Sequence, residues 1–449
     1  MRGTQQRGGV HVGLRAAIAA LGVLAVLVGG CGSSARRTVP RRTTVTTAPV
    51  TTTPAMTTLP APTPALTTLQ LALTAELAAA GRQSGALVYD LTTGQQLFAS
   101  RAKLGRPPAS VQKLYTSVAV LNLLGPDARF RTTVLGAGHL GPGGVWHGDL
   151  YLRGGGDPTL GDGAFNRVWE EGYGPTAQQL VGQLSAHGIR RVTGRVIGDA
   201  SLFDSKPGVP SSGFAPDVPD LGGQLAGLTY DHGATLGKLS PGAFAARELA
   251  LTMRGARIRA QAAKFTRRTP LDATALASVS SPPTSVLLKL TNVPSDDFFA
   301  EMLTKQLGVT LGAGGSTEAG AAVITNTVAS LGIHPAIVDG SGLSRRDRSS
   351  PIEVVDLLRS VWDTPTGRVL YASLPVVGRT GTVQRIGVHT AAQRRCVAKT
   401  GTLNYVTNLA GYCHSRGGDT IAFALFIDGP TNERATILLG KMVGAIARY

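Results

Sequence analysis

The sequence predicts an α/β fold in which one domain, an antiparallel sheet flanked by helices, is split by an inserted β-rich region. Three observations predict it. From residue 70 to 133 the chain reads as a helix, two alternating strands around a Thr-Thr-Gly turn, and a long apolar helix. From 134 to 278 short alternating runs are broken by Gly and Pro, as in "GGVWHGDLYLRGG", "RRVTGRVIGDASLF" and "FAARELALTMRGARIRA", which read as small β-rich units. From 279 to 449 helical periodicity returns in "SDDFFAEMLTKQLG", "EAGAAVITNTVASLG" and "SPIEVVDLLRSVW". Three strands, "RRCVAKTGTL", "TNLAGYCHS" and "TIAFALFIDG", and the helix "ERATILLGKMVGAIARY" then close the chain. Segments 70–133 and 279–449 thus form the two parts of one domain, with 134–278 inserted between them.

The first 69 residues stand apart. Arg2, Arg7 and Arg15 precede an uncharged run from Ala16 to Gly30, the pattern of an export signal over residues 1–30. Fifteen residues are too few for a membrane span, which needs about 20. "LVGGC" resembles a bacterial lipobox with Cys31 as the acylated first mature residue, although Val28 stands where Leu is usual; an uncut signal anchor is the alternative. Residues 31–69, rich in Thr and Pro, read as an extended stalk that holds the folded part off a membrane surface. The expected location is the outer face of a bacterial membrane, an oxidising compartment.

In 449 residues the formal charge is +17, and seven arginines before the first acidic residue, Glu76, supply +7 of it. The remaining +10 reads as spread over the rest of the chain. No basic run interleaves with aromatics, so nucleic-acid binding is disfavoured, while attraction to an anionic envelope polymer and an ordinary solvated surface both fit.

Cys396 and Cys413 flank a stretch whose midpoint falls between Asn404 and Tyr405. A hairpin turning there sets the two cysteines opposite one another on neighbouring strands, and a disulfide follows. A zinc site with His414 is the weaker rival, because two cysteines and one histidine match no standard ligand spacing.

The chemistry begins at "RPPASVQKLYTSVAVLNLLG". Leu114, Val118, Leu121 and Leu124 recur at helical spacing, and Pro107 and Pro108 mark where that helix opens. Ser110 and Lys113 sit at its mouth. They are either a cap and a snorkelling lysine, or a hydroxyl and an amine that takes its proton. Spacing alone leaves both open, since Ser100 and Lys103 repeat it at a strand end. In "VAKTGTLN", Lys399, Thr400, Gly401 and Thr402 lie on a strand where glycine clears space for a ligand's backbone. "GRTGT" at 378–382 is a near-copy without the lysine. In "NVPSDDFFAEML", Ser295 reads as a helix cap with Asp296 and Asp297 at the positive end. "GGGDP" is a turn, since no Lys-Ser/Thr follows it.

In that order, a Ser-x-x-Lys helix start, a Ser-Asp-x helix start and a Lys-Thr-Gly strand form the signature set of penicillin-binding proteins and serine β-lactamases. From about Leu71 to Tyr449 the chain resembles the class C low-molecular-mass penicillin-binding proteins, of the D-alanyl-D-alanine carboxypeptidase/endopeptidase type. The likeness also runs through "LYLRGGGDPTL", "GRVIGDASLFD", "DGSGLSR" and "LPVVGRTGT". It implies a β-lactamase/DD-peptidase-like domain that cleaves peptidoglycan stem peptides through an acyl-enzyme, with cross-link cleavage as an added option, and that is acylated by β-lactams. It implies Ser110 as nucleophile, Lys113 as base and Ser295 as proton relay. Lys399, Thr400 and Thr402 would hold the substrate's terminal carboxylate, with Gly401 and Asp297 also at the substrate site, and the amides of Ser110 and Thr402 would hold the oxyanion. No metal or cofactor is called for.

One departure bears on activity. The family's second motif is Ser-x-Asn, and here Asp297 takes the Asn position; Asp347 likewise replaces a later Asn. A carboxylate cannot donate to a substrate carbonyl, and beside an amine it favours the ammonium, which lowers the free base by about one to three decades. A protonated Asp297, or one paired with Lys399, would avoid that cost. The alternatives are therefore a low-turnover peptidoglycan-binding protein and, third, a β-lactamase, for which no deacylating Glu is assignable.

Overall fold

The computed structural model describes residues 63–233 and 237–449; the predicted signal, Cys31 and nearly all of the stalk lie outside them. In chain order the first elements are α1 (Pro64–Ala80), β1 (Gly85–Asp90), β2 (Gln95–Ser100), α2 (Lys113–Leu123), β3 (Arg131–Gly141) and β4 (Val145–Arg153). There follow α3 (Gly163–Trp169), α4 (Ala177–Ala186), β5 (Arg191–Val192), β6 (Val196–Asp199), α5 (Val218–Leu221), α6 (Pro241–Gly255), β7 (Ala262–Thr266) and β8 (Thr274–Ser280). The last third holds α7 (Thr284–Asn292), α8 (Asp297–Leu311), α9 (Thr317–Ala329), α10 (Pro351–Val361) and α11 (Pro365–Ser373). It ends with β9 (Cys396–Leu403), β10 (Val406–His414), β11 (Thr420–Asp428) and α12 (Asn432–Arg448).

The principal sheet is antiparallel in the order β2-β1-β11-β10-β9, so strands from both ends of the chain share it. β11 reads "TIAFALFID" because both of its faces are covered. Phe423, Leu425 and Ile427 pack with α1 and α12 (Leu73, Leu439, Val443), while Ala424 and Phe426 pack with the helical layer around α2. α2 lies at the centre of that layer, and every residue from Lys113 to Leu121 is buried. Its amphipathic appearance in sequence understates its enclosure.

The second sheet, β7-β6-β4-β3-β8 with β5 beside β4, is built from residues 131–280, slightly wider than the 134–278 expected from texture. It enters through β3 and leaves through β8, which pair with each other from Arg131↔Ser280 onward. Its own core joins Val134, Leu150, Leu152, Leu180, Leu249 and Met253.

Two expectations need correction. The stretch "FAARELALTMRG" is helix α6, not strand: Ser240 caps it through Ala243 N, and Phe244, Ala246, Leu249, Ala250 and Met253 bury one helical face. Its small alanines hid the 3.6-residue period. Likewise α1 begins at Pro64 under a Thr63 cap, inside the predicted stalk, because Leu69, Leu73 and Leu77 have a core to enter. No helix among the described residues is long and apolar enough to cross a membrane.

Cys396 and Cys413 are register partners on β9 and β10 and form a disulfide, which leaves neither sulfur for a metal. Replacing both by alanine is expected to remove about 3 kcal/mol for a loop of 17 residues, seen as a lower urea midpoint than the oxidised wild type.

Candidate active site

Strand alternation aims the residues of β9. Val397 faces the helical layer and Cys396 and Ala398 the α1/α12 side, so Lys399 and Gly401 share the face towards α2. Gly401 meets the turn that opens α2: a Cβ there would lie 2.3 Å from the Pro108 carbonyl oxygen and 3.0 Å from Val111 N. The turn is anchored from the next strand, where Asn408 Nδ2 donates to the carbonyls of Pro107 (3.0 Å) and Pro108 (2.9 Å). Residues 109–112 form a single 3₁₀ turn before α2, and Ala109 takes a left-handed φ of 48°. Backbone held in that region must be compensated by surrounding contacts, and such strain collects at functional sites.

On this platform Lys113 is fully buried and its amine reaches three oxygens: Ser110 Oγ at 3.0 Å, Asp297 Oδ1 at 2.5 Å and the Ser341 carbonyl at 2.9 Å. Lys103 of the competing pair is exposed, and Ser100 ends β2, so that pair sits outside any such enclosure. Lys399 Nζ reaches Ser295 Oγ at 2.7 Å and the Thr400 carbonyl at 2.9 Å. Burial holds the Lys399 amine well below the ordinary lysine value, the charge of Lys113 lowers it further, and Asp297 opposes both. Ser110, Lys113, Ser295, Asp297 and Lys399 therefore share one cleft.

Ser295 is not the helix cap expected from the sequence. Asp296 caps α8, accepting from Phe299 N at 2.8 Å, and Ser295 precedes it with a left-handed φ of 68°. That backbone turn frees the hydroxyl for Lys399. Thr400 donates to Thr382 Oγ1 at 2.7 Å, and Thr402 is exposed at the hairpin end. Thr382 belongs to the "GRTGT" near-copy, which is a 3₁₀ turn at the rim of the site instead of a strand.

Three buried carboxylates that sequence reasoning left unassigned or unexplained hold the loop bearing the Ser341 carbonyl. Glu301, on α8, accepts from Gly340 N (2.9 Å) and Ser341 N (2.7 Å). Asp339 accepts from Gly342 N and Ser344 N, both within 2.8 Å, and Asp347 accepts from Val338 N at 2.6 Å. Asp347 also accepts from Asp339 N at 3.4 Å, and the two buried carboxyls would repel one another as anions. Burial and the charge of Asp339 push the Asp347 carboxyl up to about 9, and burial pushes Glu301 up to about 8. A protonated Asp347 presents one donor and one acceptor, as the amide usual at this position does. The "DGSGLSR" glycines permit the contact: a Cβ on Gly342 would lie 1.9 Å from the Ala109 carbonyl oxygen.

A family model described as the D-Ala-D-Ala carboxypeptidase 3 (S13) family matches residues 68–240 and 220–448. The chain belongs to that family. It is a serine-type D-Ala-D-Ala carboxypeptidase with the mixed α/β architecture of the penicillin-binding proteins. Carboxypeptidase DacB of Mycolicibacterium smegmatis is 31% identical over 471 residues, covering 99% of this chain and 98% of the relative. The D-alanyl-D-alanine carboxypeptidase of Actinomadura sp. is 27% identical over 454 residues, with 82% of each chain covered. Penicillin-binding protein 4 (dacB) of Haemophilus influenzae matches in structure with a TM-score of 0.70 and 20% identity, over 84% of this chain and 99% of that one. Its complex with a β-lactam matches at 0.67.

Two outcomes are expected. Gly401→Ala displaces the strand from the Ser110 turn and lowers β-lactam acylation about a hundredfold, the scale of an ångström-sized misplacement, while far-ultraviolet circular dichroism stays unchanged. The folded state keeps the Asp347 proton up to about pH 9, whereas an unfolded carboxyl loses it near pH 4. Stability therefore falls as pH rises through that window, by at most about 1.4 kcal/mol per pH unit for one proton. Asp347→Asn removes that part of the fall; parallel thermal-unfolding profiles for wild type and variant between about pH 5 and pH 8 would show that no proton resides there.

Proposed function

We propose that Ser110 attacks the carbonyl between the two D-alanines of a peptidoglycan stem peptide and that Lys113 receives its proton. The observation that carries this reading is the set of neighbours around the Lys113 amine. Asp297 and the Ser341 carbonyl only accept hydrogen bonds, whereas Ser110 can donate one. A neutral amine gives its two N–H groups to the first two and turns its lone pair to the hydroxyl. The transferred proton then reaches the leaving D-alanine through Ser295, which Lys399 orients. Lys399, Thr400 and Thr402 line the place for the terminal carboxylate, and the amides of Ser110 and Thr402 that for the oxyanion. Water releases the acyl group. A β-lactam presents the same amide in a ring and stays attached as the acyl group; the β-lactam complex of the Haemophilus influenzae relative supports this.

Asp297 sets the charge environment of the base. Among the described residues its carboxylate is the one charged group in contact with the Lys113 amine, at 2.5 Å, and it favours the ammonium formed when Ser110 gives up its proton. Export and acylation at Cys31 complete the proposal. They are supported by the three arginines, the apolar run and "LVGGC".

Release of D-alanine from a synthetic stem peptide, followed across pH, tests the assignment. Ser110→Ala is expected to abolish both D-alanine release and labelling by fluorescent penicillin. Asp297→Asn, which removes the carboxylate that pairs with the Lys113 ammonium, is expected to raise kcat/KM for D-alanine release at pH 7 by about tenfold or more. An unchanged profile in Asp297→Asn would remove the carboxylate from the mechanism.

A further inference from the structure

The charge outside the N-terminal segment is not spread evenly, contrary to the expectation from composition. Residues 238–268 contain eight Lys or Arg and one acidic residue, Glu248, a net +7 within the chain's +17. The fold gathers part of this charge around a groove of about 630 Å³ on the second sheet, lined by Arg195, Lys238, Arg247, Arg254 and Lys264. Arg195 comes from the turn before β6, Arg247 and Arg254 from α6, and Lys264 from β7. Arg247 pairs with Glu248 at 2.8 Å, and the Arg195 guanidinium donates to the Ala262 carbonyl at 3.4 Å. Lys238, Arg254 and Lys264 have no ion-pair partner among the described residues.

Exposed cations around one concavity make a positive potential that attracts a polyanion, more strongly at low salt. Small apolar residues, Ala250 and Ala262 among them, line the groove between the charges. That shape suits a chain laid along the groove. It does not suit a bilayer surface, which would be met by apolar side chains on a convex face. We infer that the groove binds a linear polymer bearing phosphate groups, separately from the catalytic cleft.

The test uses the full-length protein and long-chain inorganic polyphosphate as probe, with binding followed by fluorescence anisotropy. If five phosphates are neutralised, affinity drops about a hundredfold between roughly 50 and 200 mM salt. The triple variant Lys238→Gln/Arg254→Gln/Lys264→Gln is expected to bind at least tenfold more weakly at low salt and to release D-alanine at the wild-type rate. Equal binding by wild type and variant, or none by the wild type, overturns the inference. Tighter binding to vesicles of phosphatidylglycerol and phosphatidylcholine than to polyphosphate, lost in the same variant, reassigns the groove to a lipid surface and also overturns it. Because the readout is binding, each outcome is independent of the roles given to Ser110 and Lys113.

Discussion

Two lysine side chains, both withdrawn from water, face a single carboxylate. Burying one ammonium is costly unless it is paired, and burying a second beside it adds repulsion. The cleft resolves the conflict unequally. Asp297 contacts Lys113 directly, while Lys399 is held by a hydroxyl and a carbonyl and is driven towards its neutral form. Everything around the site serves to keep these groups at fixed separations: the fully enclosed α2, the strained turn at Ala109, and the glycine at 401 that lets β9 close on that turn. With an amide at position 297 the two amines would lack this counter-charge.

The same exchange at position 347 has a different result. Asp347 lies among other carboxyls, its nearest charge is Asp339, and it keeps a proton that makes it an imitation of the amide. Two aspartates in related motif positions thus meet opposite surroundings, because one faces an amine and the other an acid. Residue type alone does not carry that distinction; the environment does.

Much of the architecture was legible because it rests on local patterns. Alternation marked β1, β2 and the closing meander, apolar periodicity marked α2 and α8, and the equal spacing of Cys396 and Cys413 from a turn marked their pairing. What was not legible depends on contacts between distant segments. Asn408 acts on Pro107 and Pro108 across some 300 residues, and Glu301 acts on a loop about 40 residues later; neither sits in a motif that flags it. Ser295 looked like a cap because serine before an acidic pair ordinarily is one. Its left-handed backbone passes that duty to Asp296. Helix α6 was misread because alanine is at home in either pattern, and only the core it meets decides between them.

The cross-strand disulfide has a meaning beyond its contribution to stability. Side chains on a strand alternate, so a slip of one residue between β9 and β10 would turn Lys399 out of the cleft and carry Cys396 away from Cys413. The alignment that lets the sulfurs join is also the one that completes the cleft. The crosslink is therefore compatible only with the alignment that points Lys399 inward.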